Sequence, residues 1–143
     1  MDELAFREDV FNGESLELVS SFDMSTPENR LKVLKYTNTP DHRLKDFINM
    51  DIVIKDIYIE AVSVLQEEKD EDGNDVYQKC PRTIIVDDKG ESYVAVSFGV
   101  FNAIKRIVTL LGNPHSWEKP IKFKVKQIAK GDRAILTFEP VLK

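Results

Sequence analysis

Two hydrophobic periods dominate the chain between Arg82 and Glu139, and the other segments are arranged around that stretch. Val100, Phe101, Ile104, Ile107, Val108 and Leu111 recur at helical spacing, while Asn102, Lys105, Arg106 and Thr109 fall on the opposite side. Ser97 stands where an N-cap hydroxyl accepts from orphan amides. Gly112 occupies the position of a left-handed C-cap, and Pro114 bars resumption of the helix. Strand patterns flank this helix. Thr83–Val86 and Ser92–Val96, joined by Asp87-Asp88-Lys89-Gly90, predict a hairpin. Ile121 to Lys126 alternates strictly, and Ala134–Phe138 follows the turn residues Lys130-Gly131-Asp132.

Upstream, Asp51 to Gln66 reads as a long first strand. Ile57, Ile59 and Ala61 share one parity, whereas Val62 and Val64 share the other, which predicts a β-bulge or sharp coil near Ala61. A first strand serving both halves of a closed barrel needs such a bend. Glu67 to Asp75 forms the tip that leads to the second strand. The predicted fold is mainly β: an OB-like, five-stranded antiparallel Greek-key barrel with a helix between its third and fourth strands. Ser25-Thr26-Pro27-Glu28 predicts a helix start, through Leu31 and Leu34 and ending near Asn38-Thr39-Pro40. A second short helix from Asp41 turns Leu44, Phe47 and Ile48 inward. The expected organisation is an acidic, flexible arm over residues 1–24 and one OB-like domain over residues 25–143. Within that domain, residues 25–50 are a helical brace and residues 51–143 the barrel.

Alternation also assigns faces. With an even number of residues between the second and third strands, Arg82, Ile84, Val86, Glu91, Tyr93, Ala95 and Ser97 share one face. That set carries charge and a phenol, so it is read as outward; an odd loop would exchange the pairing. On the fourth strand Ile121, Phe123 and Val125 point inward and Lys122, Lys124 and Lys126 outward.

Charge sharpens this picture. The net charge is -5, yet residues 1–80 hold 9 Lys and Arg against 19 Asp and Glu, and residues 81–143 hold 11 against 6. From Lys119 to Arg133 there are six bases and one acid. Edge protection against aggregation explains a lysine strand by itself. Within an acidic chain, on a barrel type that commonly takes oligonucleotides, a binding groove competes with that explanation. Arg82, Lys119, Lys122, Lys124, Lys126, Lys130 and Arg133 are the candidate phosphate contacts. Tyr93 and Trp117 are the candidate stacking rings, with Tyr77 a further aromatic, because unpaired bases stack on such rings whatever their sequence; for Trp117 a plug of the barrel is the equal alternative.

Other chemistries find little purchase. A single cysteine, Cys80, rules out an internal disulfide and a cysteine metal cluster. His42 and His115 have no metal-ligand spacing, and no phosphate loop or nucleophile elbow is present. The acidic tip places Asp75 and Pro81 where a calcium loop needs Gly and Glu. No apolar run is long enough to span a bilayer, and the acidic N-terminus is not a signal peptide. No catalytic residue, metal or cofactor is expected.

The run Val96-Ser97-Phe98-Gly99-Val100-Phe101-Asn102-Ala103-Ile104-Lys105-Arg106-Ile107 carries a more specific signal, with Leu44–Ile48, Val53–Glu60, Arg82–Tyr93, Gly112-Asn113-Pro114, Trp117–Ile121 and Leu136–Phe138 in the same order. Together these resemble the single-stranded DNA-binding proteins of phages infecting Gram-positive bacteria, over residues 25–139. The resemblance implies a non-catalytic, sequence-tolerant coat of single-stranded DNA in phage or mobile-element replication, in the host bacterial cytoplasm, with replication proteins as further partners. Two rival readings stand beside it. One is a phage-encoded interaction module or inhibitor that meets a host protein through its acidic half. The other is a metal-dependent enzyme on Asp56, Asp87 and Asp88.

Overall fold

Asp51 to Leu65, rich in β-branched residues and free of Gly and Pro, forms the longest strand, and every other part of the sheet is placed by it. A computed structural model describes residues 19–23, 25–131 and 133–142. Residues 1–18, most of the expected acidic arm, lie outside the described residues.

In chain order the elements are β1 (Val19–Ser20), α1 (Pro27–Asn38), β2 (His42–Arg43), a 3-10 turn (Leu44–Phe47), β3 (Asp51–Leu65), β4 (Tyr77–Asp87), β5 (Ser92–Val96), α2 (Phe98–Leu111), a 3-10 turn (Pro114–Ser116), β6 (Ile121–Lys130) and β7 (Arg133–Pro140). Six strands follow one hydrogen-bonded path, β2-β5-β4-β3-β6-β7, and β1 pairs with β3 beside it. The sheet curls into a half-barrel of the OB-like kind. It is not closed by hydrogen bonds, because the path ends at β2 and β7. Two two-residue strands from the N-terminal region join it, so the strand count exceeds five.

The helix termini follow local chemistry. Ser97 Oγ accepts from the Val100 amide at the start of α2, and Gly112 ends it at φ 84°. Val100, Phe101, Ile104 and Ile107 are buried, but Leu111 is 45% exposed because the helix leaves the core at its last turn. At α1 the cap is Thr26 and not Ser25: its hydroxyl accepts from Asn29 N, and Pro27 fills the first helical position.

Two apolar layers explain the rest. Ile57, Ile59, Ile85 and Tyr93 face inward with Val100, Phe101, Ile104, Phe123 and Val125. On the outer side Tyr58, Ile84 and Val86 pack with Val33 of α1, joined by Phe22, Tyr36 and Val94. The middle of β3 is therefore covered on both faces. Both parities are apolar there for that reason, and the bulge expected near Ala61 is absent: the register with β4 runs unbroken from Asp56↔Val86 to Leu65↔Tyr77. The shift lies instead between Ile54 and Asp56, close to where β3 passes from β6 to β4.

The face assignment of Tyr93 is reversed. Val86 pairs with Ser92, so an odd number of residues, five, lies between these paired positions, and Ile85 pairs with Tyr93. Tyr93 is 6% exposed, stacks on His42 at 5.0 Å and meets Phe47 edge-on at 4.9 Å. Its hydroxyl donates to Asp87 Oδ2 at 2.9 Å, while Asp87 Oδ1 accepts from the amides of Lys89 and Glu91.

Burial first, then the bond to Asp87, holds the Tyr93 phenol far above its ordinary value of 10.0. Burial also raises Tyr58 and Tyr36. The unfolded chain ionises these phenols near pH 10 and the folded one does not. Their contribution is therefore full below pH 10 and lost as pH rises beyond it. Urea midpoints should stay level up to about pH 10 and fall above it. Tyr93→Phe should flatten that fall while lowering neutral-pH stability by about 1 kcal/mol.

Candidate nucleic-acid interface

Strand alternation decides where the lysines of β6 point. Phe123 and Val125 enter the inner core, which sends Lys122, Lys124 and Lys126 to the other face. Lys122 is exposed, and Lys124 and Lys126 are half-exposed. Alternate residues of a strand stand about 6.7 Å apart, so three ammonium groups form a row that an extended polyanion can follow. Exposed Lys119 precedes the row, and exposed Arg133 is the register partner of Lys130 at the β6–β7 turn. Acids interrupt it. Lys124 Nζ lies 3.2 Å from Asp51 Oδ1 on β3, and Glu139 is its register partner on β7. Lys122 and Lys126 have no ion-pair partner among the described residues.

The other expected contacts are not gathered here. Arg82 is paired with Glu60, its register partner on β3, at 2.9 Å, and the arginine side chain is only 19% exposed. It clamps β3 to β4. Tyr93 belongs to the core, so it is not a ring open to bases. Trp117 is half-buried against Phe123, with centroids 6.3 Å apart. Its Nε1 donates to Leu111 O at 3.0 Å and Gly112 O at 3.1 Å, satisfying carbonyls that the end of α2 leaves free. The ring is first a stopper for that helix.

Among the described residues two exposed rings stand elsewhere. Tyr77 is 60% exposed and shares the face of Leu65 and Lys79 on the β3–β4 ribbon. Phe98, the first residue of α2, is 43% exposed. The available signal for Tyr77 was strand length: fifteen residues of β3 carry the hairpin well past the segment that pairs with β6.

The model of the family described as phage single-stranded DNA-binding protein matches residues 12–139. The chain belongs to that family. Neither a curated protein nor a solved structure matches it. This single-stranded DNA-binding protein acts in phage replication, and the rival inhibitor reading has no support. Two carboxylates of the enzyme reading, Asp56 and Asp87, are held in separate networks, and Asp88 is exposed in the β4–β5 turn. Asp56 Oδ1 accepts from Ser21 Oγ at 2.9 Å and meets His115 Nε2 at 2.5 Å, while Asp87 holds its turn and Tyr93. Among the described residues no group of three His, Cys, Asp or Glu is placed to hold a metal ion, and no helix is long and apolar enough to cross a membrane.

Tyr77 offers a direct check. Tyr77→Ala should leave the thermal midpoint unchanged, because the ring is exposed. In an oligo-dT titration it should weaken binding by about 1–3 kcal/mol. A binding curve that overlays the parent protein would remove the ring from the strand's path.

Proposed function

We propose that this phage protein coats single-stranded DNA without regard to sequence, and without catalysis, through the outer face of β6. The observation that carries this reading is the row Lys122, Lys124 and Lys126, set opposite the buried Phe123 and Val125 in a chain of net charge -5. A basic strand kept within an acidic protein is an electrostatic footprint for phosphates. Lys119, Lys130 and Arg133 extend it, and Trp117 lends the ring edge that its bonds to the helix end leave free. Arg82 and Tyr93 act on the strand only through the fold. The same proposal takes residues 25–143 as one OB-like unit, in which β3 to β7 are the five barrel strands and α2 stands between the third and fourth. The acidic β3–β4 tip and the acidic segment 1–18 are what this reading leaves for replication proteins, since residues 19–22 are docked on β3 and the outer layer, and the site of action is the host bacterial cytoplasm.

Each single-strand phosphate neutralised contributes about -0.7 to the slope of log affinity against log salt. With about three to five contacts the slope should be roughly -2 to -4 for oligo-dT. Replacing Lys122, Lys124 and Lys126 together by alanine should make it shallower by about 2, with little change in urea stability. A soluble triple variant with the parent slope would take β6 out of the interface.

A further inference from the structure

The half-barrel has an open seam. β5 and β7 lie across it with no pairing between them, since β5 bonds β4 and β2 while β7 bonds β6. The seam holds a cleft of about 490 Å³, lined by Val94 to Ser97, by Ala134 to Leu136, by Gln127, and by Arg43 and Lys45 from the N-terminal brace. Two cations and no carboxylate line it. Arg43 Nε is 3.4 Å from Asp46 Oδ2, a contact too long to engage the guanidinium fully. Lys45 is exposed and has no partner among the described residues.

The lining is arranged for an amphipathic guest. Ala95 and Ala134 have small side chains, which leaves room between the two strands, and Leu136 makes the wall apolar. Gln127 places an amide, both donor and acceptor, at the same cleft. Beside Ala95 on the same face of the sheet, its register partner Thr83 carries a buried hydroxyl with no hydrogen-bond partner among the described residues. Such orphans are costly in a native interior, and this one lies on the face that the cleft opens.

We propose that the β5–β7 seam is a second binding site that takes one unpaired nucleotide of single-stranded DNA. The base enters against Ala95, Ala134 and Leu136, its edge meets the Gln127 amide, and the flanking phosphates lie at Arg43 and Lys45. A paired base cannot enter, because its edge and both its faces are already engaged in the duplex. The seam thus adds selection for unpaired DNA to the sequence-blind attraction of the β6 lysines. This proposal rests on the single-strand-coating function and locates a further part of it.

Oligo-dT titrations of the full chain test it, with the β6 triple-alanine variant as a reference. Ala134→Leu fills the cleft without changing charge. It should bind about five- to tenfold more weakly, the low end of what one base contact is worth, with the parent salt slope. Against an abasic oligonucleotide of equal length, Ala134→Leu and the parent should bind alike. Arg43→Ala/Lys45→Ala should make the slope shallower by about 1.4, in addition to the effect of the β6 variant. If Ala134→Leu lowers the thermal midpoint, Gln127→Ala, at an exposed position, replaces it with the same expected loss on oligo-dT. Variants that match the parent in affinity and slope would overturn the seam site while β6 binding stands. A parent protein that does not retain oligo-dT at all would overturn both.

Discussion

Burial of both faces of β3 is the constraint on which the rest of the structure depends. Ile57 and Ile59 are covered by α2 and the inner faces of β5 and β6, and Tyr58 by the layer that α1 seals. A strand covered on one side needs only alternation, whereas one covered on both sides needs an apolar residue at every position. Ile57, Tyr58 and Ile59 supply this, and the sheet can then pass from β6 to β4 along one continuous strand. Without α1 the outer layer of Tyr58, Ile84 and Val86 would face water, and burial is the main favourable contribution to folding.

Polar contacts fix what the apolar layers leave adjustable. Asp56 sits at the register shift of β3, 7% exposed, and ties that irregular backbone to Ser21 and His115. The Ser21 hydroxyl also accepts from Ile57 N, so the N-terminal strand is locked on just where β3 changes partner. Asp87 acts likewise at the β4–β5 turn, capping two amides and receiving the Tyr93 hydroxyl. His42 bridges to Glu91 at 2.6 Å and stacks on Tyr93, which brings the brace against the same turn. Asp56 and Asp87 thus both hold backbone in place.

The proposed phosphate contacts stand where the fold demands least. The β6 lysines sit opposite the core, so their charge costs little to keep in solvent and remains available to phosphates. Acidic neighbours at Asp51 and Glu139 moderate the row, which limits self-repulsion along β6 and indiscriminate attraction to polyanions. The cations near the seam come from the brace, not the barrel: Arg43 belongs to β2 and Lys45 to the 3-10 turn after it, while α1 serves to cover the outer layer.

Much was legible in the chain itself, because periodicity and caps are local properties. The span of α2 with Ser97 and Gly112 at its ends, the β4–β5 hairpin and the outward lysines of β6 all follow from side-chain spacing and backbone preference over a few residues. So does the family, carried by the run from Val96 to Ile107. The tertiary structure decided whatever depended on a partner distant in sequence. A single residue in the Asp87–Glu91 turn set the parity of β5 and sent Tyr93 into the core. Cover from α1 buries Tyr58 on the face opposite Ile57 and Ile59, and the irregularity lies at Ile54–Asp56, where β3 changes partner. Glu60 claimed Arg82, the end of α2 claimed Trp117, and the gap between β5 and β7 joined Arg43 and Lys45 to Ala134. Alternation states that two faces differ; only packing determines what lies against each of them.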